Sequence, residues 1–369
     1  MRLAIIGLSN SGRTTLFNAL TGQDIETTIY PSVSGEPNYG VVKVPDWRVN
    51  RLAEIYKPKK TTYATVEYID YIGLTKGDVV QNRKVFDLMK DVDAFVHVIR
   101  AFEDDSVIHP LGNIDPMRDL ETVEMEILFG DLELVEKRLL RIEEGTKKGK
   151  KPDEAEKRLL MRCKDALEKG IPLRNIYFSE EEQKAMRHLQ FVSIKPEVIV
   201  FNIGEDDLNK DKQRDLTIKA QTFLDATRKD PSIKTPHSIL SLCGKIEMEI
   251  AQLGEEDREA FLKDLGIEEP ALNRLIHVSY DLLGLISFLT VGEDEVRAWT
   301  VKKGTTAQKA AGKIHSDIEK GFIRAEVIGF DDFISCGNMA VARERGLLRL
   351  EGKTYEVMDG DIINFRFNV

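Results

Sequence analysis

Short apolar runs alternate with amphipathic stretches over the first three quarters of the chain. Apolar runs of the length of a buried strand occur at residues 2–6, 93–100, 196–201 and 237–244. The stretch after the first run places Leu16, Phe17 and Leu20 on one face of a helix. Buried strands that alternate with helices are typical of a mostly parallel sheet covered on both faces. The pattern therefore predicts an α/β domain.

A charged helical segment interrupts this alternation between about residues 119 and 188. Apolar positions keep helical spacing through 120–142, and a second helical stretch covers 154–169. The stretch between them, 143–152, contains glycines and a proline, which end helices. We predict a helical hairpin arm that is inserted into the α/β domain.

Basic residues cluster at the tip and along the flanks of this arm. They are Lys147, Lys148, Lys150, Lys151, Lys157, Arg158, Arg162 and Lys164. The cluster fits a solvated helix surface, and it also fits a surface that faces RNA, because lysine and arginine neutralise phosphates. The sequence leaves both interpretations open.

The last part of the chain, from about residue 285, has a different pattern. Strands are predicted at 287–290, 296–301, 323–328, 354–358 and 361–367, with one helix at 306–320. This is a small α+β module without a clustered nucleophile, base or metal-ligand set, so we predict a recognition function for it. The predicted organisation is a nucleotide-binding domain in two parts (1–125 and 196–283), the arm (126–195) and the C-terminal module (284–369).

Composition excludes several classes of function. The chain has 369 residues, 42% of them apolar, and a formal net charge of -10, so no global attraction to nucleic acid or to an anionic membrane is expected. No apolar run approaches the length of a bilayer-spanning helix, and the start is a strand instead of a secretion signal. Cys163, Cys243 and Cys336 show neither metal-site spacing nor a disulfide framework. We expect a cytoplasmic protein.

The chemistry concentrates first at residues 7–15, GLSNSGRTT, between a predicted strand and a predicted helix. The spacing is that of the phosphate-binding motif G-x-x-x-x-G-K-[ST], except that Arg13 takes the place of the lysine. Glycines such as Gly12 let backbone N–H groups turn towards phosphate oxygens, and the helix N-terminus adds unpaired donors. Residues predicted to bind phosphate are Asn10, Ser11, Gly12, Arg13, Thr14 and Thr15.

Side chains suited to Mg²⁺ and to the γ-phosphate follow in the chain. Thr14 and Ser34 offer hydroxyls for Mg²⁺, although a polar surface loop explains Ser34 equally well. Asp70 comes at the end of a strand predicted at 61–69, where a Walker B carboxylate lies, and Gly73 is placed to donate its N–H to the γ-phosphate. The next residue, Leu74, cannot orient water as a glutamine does.

Histidine is the alternative water-positioning group. His97 lies inside a predicted strand, and we expect it to be packed in the core. His109 follows a strand end, where catalytic residues collect. From its position alone, a water-positioning role and an ordinary surface histidine are equally compatible with His109.

A base-binding site is predicted after the strand at 196–201. Guanine recognition requires N-K-x-D, whereas this chain has Asn202, then Ile203 in place of the lysine and Glu205 in place of the aspartate. The longer carboxylate does not fit guanine, so adenine is favoured. The loop after the strand at 237–244, with Ser241 and Leu242, is predicted to lie near the base.

With these segments in place, the chain resembles the YchF-type ATPases, a branch of the Obg-related P-loop NTPases of the TRAFAC class, over nearly its whole length. The most specific strings are EVRAWTVKKG at 295–304, IHSDIEKGFI at 314–323 and DGD at 359–361. Further matches are GLSNSG at 7–12, EPNYGVV at 36–42, D-x-x-GL at 70–74, FEDD at 102–105, NIGE at 202–205 and GIEEPALNR at 266–274.

The resemblance implies a G-domain-like sheet, an inserted arm and a C-terminal TGS-type domain. It also implies ATP preference through Asn202 and Glu205, hydrolysis without a glutamine, a histidine at the position of His109 as its substitute, and association with the ribosome. Asn10 matches the residue that potassium-stimulated relatives use to hold K⁺, which we keep as a hypothesis. A monomer is expected.

Three positions depart from the family pattern, which has lysine at Arg13, serine at Thr14 and threonine at Ser34. Thr14 and Ser34 keep a hydroxyl, but a guanidinium is wider and forked where the ammonium is compact. A mispositioned donor forfeits ~1.5–3 kcal/mol, or ~10–150-fold in rate if the bond strengthens in the transition state. The residues after Leu74 also differ from the family, and the chain resembles a divergent paralogue.

Three functions follow from these observations. The first is a nucleotide-dependent switch that slowly hydrolyses ATP, or GTP, with Mg²⁺. The second is a nucleotide-binding adaptor that does not hydrolyse, for which Arg13 and Leu74 are the evidence. The third is a ribosome-binding protein whose phosphate loop takes no nucleotide.

Overall fold

The computed structural model describes residues 1–27, 36–208, 210–227 and 237–368. The chain divides into two compact units. The first consists of Met1–Val41 and Glu67–Leu275, and the second of Val42–Val66 and Ile276–Val369. The division differs from the predicted segments, because residues 42–66 join the C-terminal module and the arm does not form a unit of its own.

The strands are β1 (Arg2–Ile6), β2 (Asn38–Lys43), β3 (Lys60–Thr62), β4 (Thr65–Asp70), β5 (Ala94–Ala101), β6 (Glu197–Ile203), β7 (His237–Leu242), β8 (Leu285–Thr290), β9 (Glu295–Lys302), β10 (Phe322–Gly329), β11 (Arg349–Glu351) and β12 (Asp361–Phe367).

The helices are α1 (Arg13–Thr21), α2 (Trp47–Tyr56), α3 (Val79–Met89), α4 (Pro116–Lys147), α5 (Glu154–Glu168), α6 (Glu180–Met186), α7 (Lys210–Ala226), α8 (Gly244–Gln252), α9 (Glu255–Asp264), α10 (Ala271–Leu282), α11 (Ala307–Ile314), α12 (Ser316–Lys320), α13 (Phe330–Cys336) and α14 (Met339–Glu344). Two short 3₁₀ helices span Leu173–Asn175 and Glu205–Asp207.

The first sheet has the strand order β2-β4-β1-β5-β6-β7. Strand β1 pairs in parallel with β4 and β5, and β6 pairs in parallel with β5 and β7. Every residue of β5 and β6 is buried, as expected for central strands with helices on both faces. The predicted α/β class is confirmed, and the carboxyl ends of these strands bring the candidate site residues to one edge.

The second sheet has the order β11-β10-β12-β8-β9-β3. Its β8–β9 and β10–β12 pairs are antiparallel, whereas β3 joins β9 in parallel. Its core contains Phe288, Val301, Ala310, Phe322 and Ile363. The predicted α+β character of the C-terminal module is therefore correct.

The strand predicted at 61–69 is two strands in different sheets. Thr62 pairs with Arg297 in the second sheet, whereas Glu67 pairs with Arg2 in the first. The break falls at Tyr63 and Ala64, two adjacent apolar residues between segments that both have the composition of a strand. The local pattern could not predict this change of sheet, because the strands that pair with each segment lie far away in the sequence.

Three details of the C-terminal prediction are wrong. The helix predicted at 306–320 is two helices, which an extended His315 separates (φ −162°, ψ 143°). The segment 354–358 is not a strand and makes one isolated bridge, between Glu356 and Thr306. Helices α13 and α14 were not predicted, since each is only a turn or two long and has little periodicity to detect.

The arm is helical as predicted, but its first helix runs on to Lys147, past the break predicted at 143. The beginning of α4 belongs to the α/β core, because Leu120, Val123 and Ile127 are buried in the clusters that cover the first sheet. The later part packs on α5 through residues that include Val135 and Leu160.

No helix among the described residues combines the length and the apolar character that a membrane crossing needs. The three cysteines are free and buried. Burial raises the pKa of the Cys163 thiol to about 12, so it stays protonated and unreactive at neutral pH.

A buried ionic cluster connects strands β5 and β6 with α4 and the 3₁₀ helix at 173–175. Arg174 Nη2 donates to Glu124 Oε2 and to Glu197 Oε1, at 2.5 Å each. His97 lies beside them, and its Nδ1 has no hydrogen-bond partner among the described residues. Burial raises the pKa of Glu197 well above its ordinary value and lowers the pKa of His97 to about 4. His97 is thus a packed core residue, as predicted.

The low pKa of His97 predicts a pH-dependent stability. Below about pH 6.5 the unfolded chain binds a proton that the folded protein cannot accept, so stability is lost as pH falls towards 4. Between pH 7 and 5 this loss amounts to about 2 kcal/mol. We expect His97→Gln to show a shallower fall in the free energy of unfolding over this interval, measured by urea denaturation. His188→Gln, at an exposed histidine, should keep the slope of the wild type, and an equally steep fall in His97→Gln would contradict the prediction.

Candidate nucleotide-binding site

The phosphate loop connects β1 to α1 in a backbone conformation that requires glycine. Gly7 and Gly12 have φ of 150° and 90°, and Asn10 has φ of 62°, a left-handed value that asparagine tolerates. A Cβ on Gly7 would lie 2.3 Å from the Val98 carbonyl oxygen, and one on Gly12 would lie 2.1 Å from Asn202 Nδ2. A larger residue at Gly7 therefore requires a shift of the backbone, and one at Gly12 requires the Asn202 side chain to move.

Helix α1 begins at Arg13, and no side chain of the described residues caps its N-terminus. The amides of its first turn remain available as donors, together with the positive end of the helix dipole. The hydroxyls of Ser9 and Ser11 are buried in the same loop, and no described residue offers them a hydrogen-bond partner. Unsatisfied buried donors around a glycine-rich turn fit a phosphate group, which would accept from them.

Thr14 and Asp70 come together as predicted. Thr14 Oγ1 donates to Asp70 Oδ2 at 2.8 Å. A hydroxyl and a carboxylate are ligands that suit Mg²⁺. Burial raises the pKa of Asp70, and the neighbouring Arg13 and Thr14 oppose that rise. Ser34, the other predicted Mg²⁺ ligand, lies outside the described residues.

Arg13 points towards the segment 70–73. Its Nη1 donates to the Tyr71 carbonyl oxygen and lies 3.7 Å from Asp70 Oδ1. Nε is buried and has no partner in the described part of the chain. Burial lowers the pKa of the guanidinium, and Asp70 opposes this, but arginine remains charged at any physiological pH.

Gly73 approaches the phosphate loop closely. A Cβ at this position would lie 2.9 Å from Ser9 N and 2.8 Å from Arg13 Nη2. The neighbouring Leu74 donates its N–H to the Gly7 carbonyl oxygen at 3.0 Å, and its side chain is buried in the core. Leu74 is therefore a packing residue.

One residue near Gly73 was not predicted. Gln81 Nε2 donates to the Gly73 carbonyl oxygen at 2.8 Å. Gln81 lies in the first turn of α3, which Asp78 caps through a bond from the Gln81 N–H. In the sequence, Gln81 is recognisable only as a glutamine three residues after a capping aspartate. This pattern is too common to predict a contact with Gly73.

His109 lies inside the protein and both ring nitrogens are engaged. Nδ1 accepts from the Leu111 N–H at 3.1 Å, so the proton is on Nε2, which donates to Asp119 Oδ2 at 2.8 Å. Asn10 Nδ2 donates to the Ile108 carbonyl oxygen at 2.9 Å and so connects the phosphate loop to the histidine loop. Ser9, Ser11, His109 and Asp119 line one small cavity.

The predicted base-binding residues meet at the ends of β6 and β7. Asn202 Nδ2 donates to the Ser11 carbonyl oxygen at 3.0 Å, and its Oδ1 accepts from the Gly244 N–H at 2.9 Å. The amide of Asn202 thus joins the phosphate loop to the start of α8. Glu205 is half-exposed and pairs with Lys245 at 2.5 Å.

The remaining three predicted base-binding residues are less accessible. Ser241 is buried and its Oγ has no hydrogen-bond partner in the part of the chain that the structure describes. Leu242 and Ile203 are also buried. Lys245, which pairs with Glu205, was not predicted as a site residue. The only feature of the sequence that could have indicated Lys245 was its position directly after Gly244.

This arrangement defines a class of protein. A glycine-rich turn between a parallel strand and a helix, a Thr–Asp pair and a sheet edge that gathers the remaining loops are the features of a P-loop NTPase. The described residues fit a nucleotide polyphosphate through free amides and hydroxyls, and Thr14 with Asp70 supplies oxygen ligands for Mg²⁺.

Comparisons with known proteins specify the family. Residues 2–128 match the family model described as a 50S ribosome-binding GTPase, and residues 285–368 match YchF-GTPase_C, described as a protein of unknown function. The ribosome-binding ATPase YchF of Bacillus subtilis is 42% identical over 369 residues, covering 99% of this chain and 98% of the relative. That of Escherichia coli O157:H7 is 41% identical over 372 residues, with 100% and 99% covered.

The fold agrees with a solved structure. The Schizosaccharomyces pombe YchF GTPase superposes with a TM-score of 0.81 at 28% identity, covering 99% of this chain and 97% of that one. The chain belongs to the YchF family of P-loop NTPases. The family resemblance and the fold class predicted from the sequence are both confirmed.

Proposed function

We propose that this protein is a nucleotide-dependent switch that binds ATP, hydrolyses it slowly and associates with the ribosome. The observation that carries the proposal is the phosphate loop, in which Gly12 lies against Asn202. Within the described ranges, no side chain caps the start of α1, and the hydroxyls of Ser9 and Ser11 have no hydrogen-bond partner. Relatives that align over the whole chain are named ribosome-binding ATPases.

Each residue is given a role in this proposal. The amides of residues 10–15 and the guanidinium of Arg13 hold the phosphates, and Gly73 detects the γ-phosphate. Thr14, Asp70 and Ser34 are the residues that would hold Mg²⁺, and the ion would supply neutralisation of phosphate charge. Asn202 orders the phosphate loop and, with Ile203, Glu205, Ser241 and Leu242, forms the pocket of the base. K⁺ at Asn10 is an additional proposal.

His109 is proposed to position the attacking water. The ring must leave Asp119 to do so, because both of its nitrogens are bonded inside the protein. Asn10 bonds to the backbone of the histidine loop, so a change in the phosphate loop can reach it. This coupling makes release of His109 a consequence of nucleotide binding.

The histidine proposal predicts a selective loss of turnover. His109→Ala should lower kcat for ATP by about 100-fold, because positioned proton acceptors contribute factors of this size, while affinity for ATP changes less than about threefold. The measurements are phosphate release and binding of a non-hydrolysable ATP analogue. His188→Ala, at an exposed histidine, serves as control. Wild-type turnover by His109→Ala would exclude the role of His109.

The test of the overall function has two parts. Thermal stabilisation by ATP and by GTP measures nucleotide binding, because a ligand that binds only the native state raises its stability. Co-sedimentation with ribosomes, with and without a non-hydrolysable ATP analogue, measures the partner. We expect a cytoplasmic monomer that binds ribosomes in a nucleotide-dependent manner, and absence of any nucleotide effect in both assays would overturn the proposal.

A second function is favoured by the substitution at Arg13. A protein that binds ATP without hydrolysing it would act as an adaptor whose conformation depends only on whether nucleotide is bound. Arg13→Lys separates the two functions. An adaptor gains phosphate release only in that variant, whereas a slow ATPase turns over ATP in both forms.

A further inference from the structure

Arg13 lies along the segment that the proposed function assigns to Mg²⁺ and the γ-phosphate. Its guanidinium contacts the Tyr71 carbonyl oxygen and Asp70, and Nη2 is so near Gly73 that a Cβ there would lie 2.8 Å away. The side chain is 11% exposed. It is therefore a built-in part of the site and does not extend into solvent.

The carboxylate of Asp70 has an ion-pair partner in Arg13, although its Oδ1 accepts no hydrogen bond from the described residues. Among the described residues, Arg13 is the cationic side chain within 4 Å of it. Mg²⁺ needs the same carboxylate, and a second cation next to the guanidinium is repelled by it. Expelling Arg13 would cost its hydrogen bond to Tyr71. Arg13 therefore disfavours binding of Mg²⁺ at this site. A lysine at the same position would not do so.

The same guanidinium has donors left for phosphate. Its Nε is buried and has no hydrogen-bond partner in the described part of the chain, and the nearby hydroxyls of Ser9 and Ser11 also have none. A phosphate oxygen would satisfy these donors, and arginine can bond an anion and a backbone carbonyl at once through its planar fork. Arg13 can therefore remain beside Asp70 while it binds the nucleotide.

We propose that Arg13 is the resident cation of this site, so that the protein binds nucleoside triphosphate with little dependence on Mg²⁺. The inference rests on the proposed function, because it assumes that the phosphate loop binds nucleotide. A lysine at position 13 would carry one compact charge, could not hold Tyr71 and Asp70 together with a phosphate, and would leave Asp70 to Mg²⁺. Arg13 is a determinant of metal dependence in addition to a phosphate ligand.

The test measures the affinity for a fluorescent non-hydrolysable ATP analogue in excess Mg²⁺ and in excess EDTA. We expect the Kd of the wild type to change by less than about threefold, and that of Arg13→Lys to rise at least about tenfold in EDTA, the loss expected for one charge-assisted contact. Arg141→Lys, an exposed arginine on the arm, is the matched control and should behave as the wild type.

The outcomes distinguish the inference from the function on which it rests. Nucleotide binding with the same Mg²⁺ dependence in wild type and Arg13→Lys overturns the resident cation and leaves the proposed function standing. Absence of nucleotide binding in all three proteins overturns both. If Arg13→Lys does not fold, the measurement on the wild type alone tests the proposal. A loss of its affinity above tenfold in EDTA contradicts the proposal.

Discussion

Replacing Gly12 with alanine is expected to lower the affinity for ATP by at least about 100-fold. A Cβ at this position would lie 2.1 Å from Asn202 Nδ2, and the backbone has a φ of 90° that alanine rarely adopts. The loop can relieve this contact only if Asn202 gives up its bonds to Ser11 and Gly244. Because the same loop presents the amides to phosphate, the movement also disperses the donors.

Gly149→Ala is a close control for that variant. Gly149 has a φ of 82°, so alanine meets similar backbone strain, but no atom lies within 4 Å of its added Cβ. Isothermal titration with an ATP analogue should detect tight binding in Gly149→Ala and none in Gly12→Ala. Equal affinities would mean that the contact with Asn202 does not hold the loop in its binding conformation.

Replacing Arg174 with methionine is expected to reduce the free energy of unfolding by about 3–5 kcal/mol. Glu124 and Glu197 are buried, and Arg174 bonds to both. Methionine retains much of the volume but leaves two carboxyl groups without a cation, and removal of one partner from a buried ionic group is far more costly than removal of the whole group.

The pH dependence of this loss has a definite sign. Without Arg174 the pKa of Glu197 rises further, because the cation that favours its charged form is gone. Groups with a raised folded pKa contribute stability that falls as pH increases. The difference between wild type and Arg174→Met should therefore be larger at pH 8 than at pH 5, as measured by urea denaturation.

Two further variants make this prediction specific. Arg138→Met breaks a two-bond pair with Glu156 on the arm, where Arg138 is 37% exposed, and should cost less than about 1 kcal/mol. Adding Glu124→Gln and Glu197→Gln to Arg174→Met should recover a large part of the loss, since no buried charge is left. A triple variant as unstable as the single one would assign the effect to packing.

The predicted phosphate loop and the predicted buried strands of the first sheet both have local causes. The string at 7–15 specifies a tight turn through its glycines, and the apolar runs at 2–6, 93–100 and 196–201 specify buried strands. Strand–helix alternation then leaves few topologies, because parallel crossovers are right-handed. The Thr14–Asp70 contact fits the same layout, since Asp70 ends β4, the neighbour of β1, and Thr14 lies at the start of the helix that follows β1.

The wrong structural predictions fall where a strand or helix packs against elements that are distant in the sequence. The break between Thr62 and Thr65 separates two sheets, and the apolar pair Tyr63 and Ala64 that marks it does not by itself indicate a change of sheet. The arm begins inside the core because Leu120, Val123 and Ile127 cover the sheet, which helical spacing alone cannot distinguish from packing against the second helix of the hairpin. Helices α13 and α14 are too short for periodicity to identify.

The sequence by itself determined that this chain forms a P-loop domain with a charged arm and a small α+β module, because these depend on glycines, turn residues and apolar spacing. Only the tertiary structure decided what the functional side chains contact. Asn202 holds the phosphate loop, His109 is bonded to Asp119, and Arg13 reaches Asp70 and Tyr71, 57 and 58 positions away. Such contacts depend on which strands become neighbours and on the space that packing leaves between them. The local sequence determines neither.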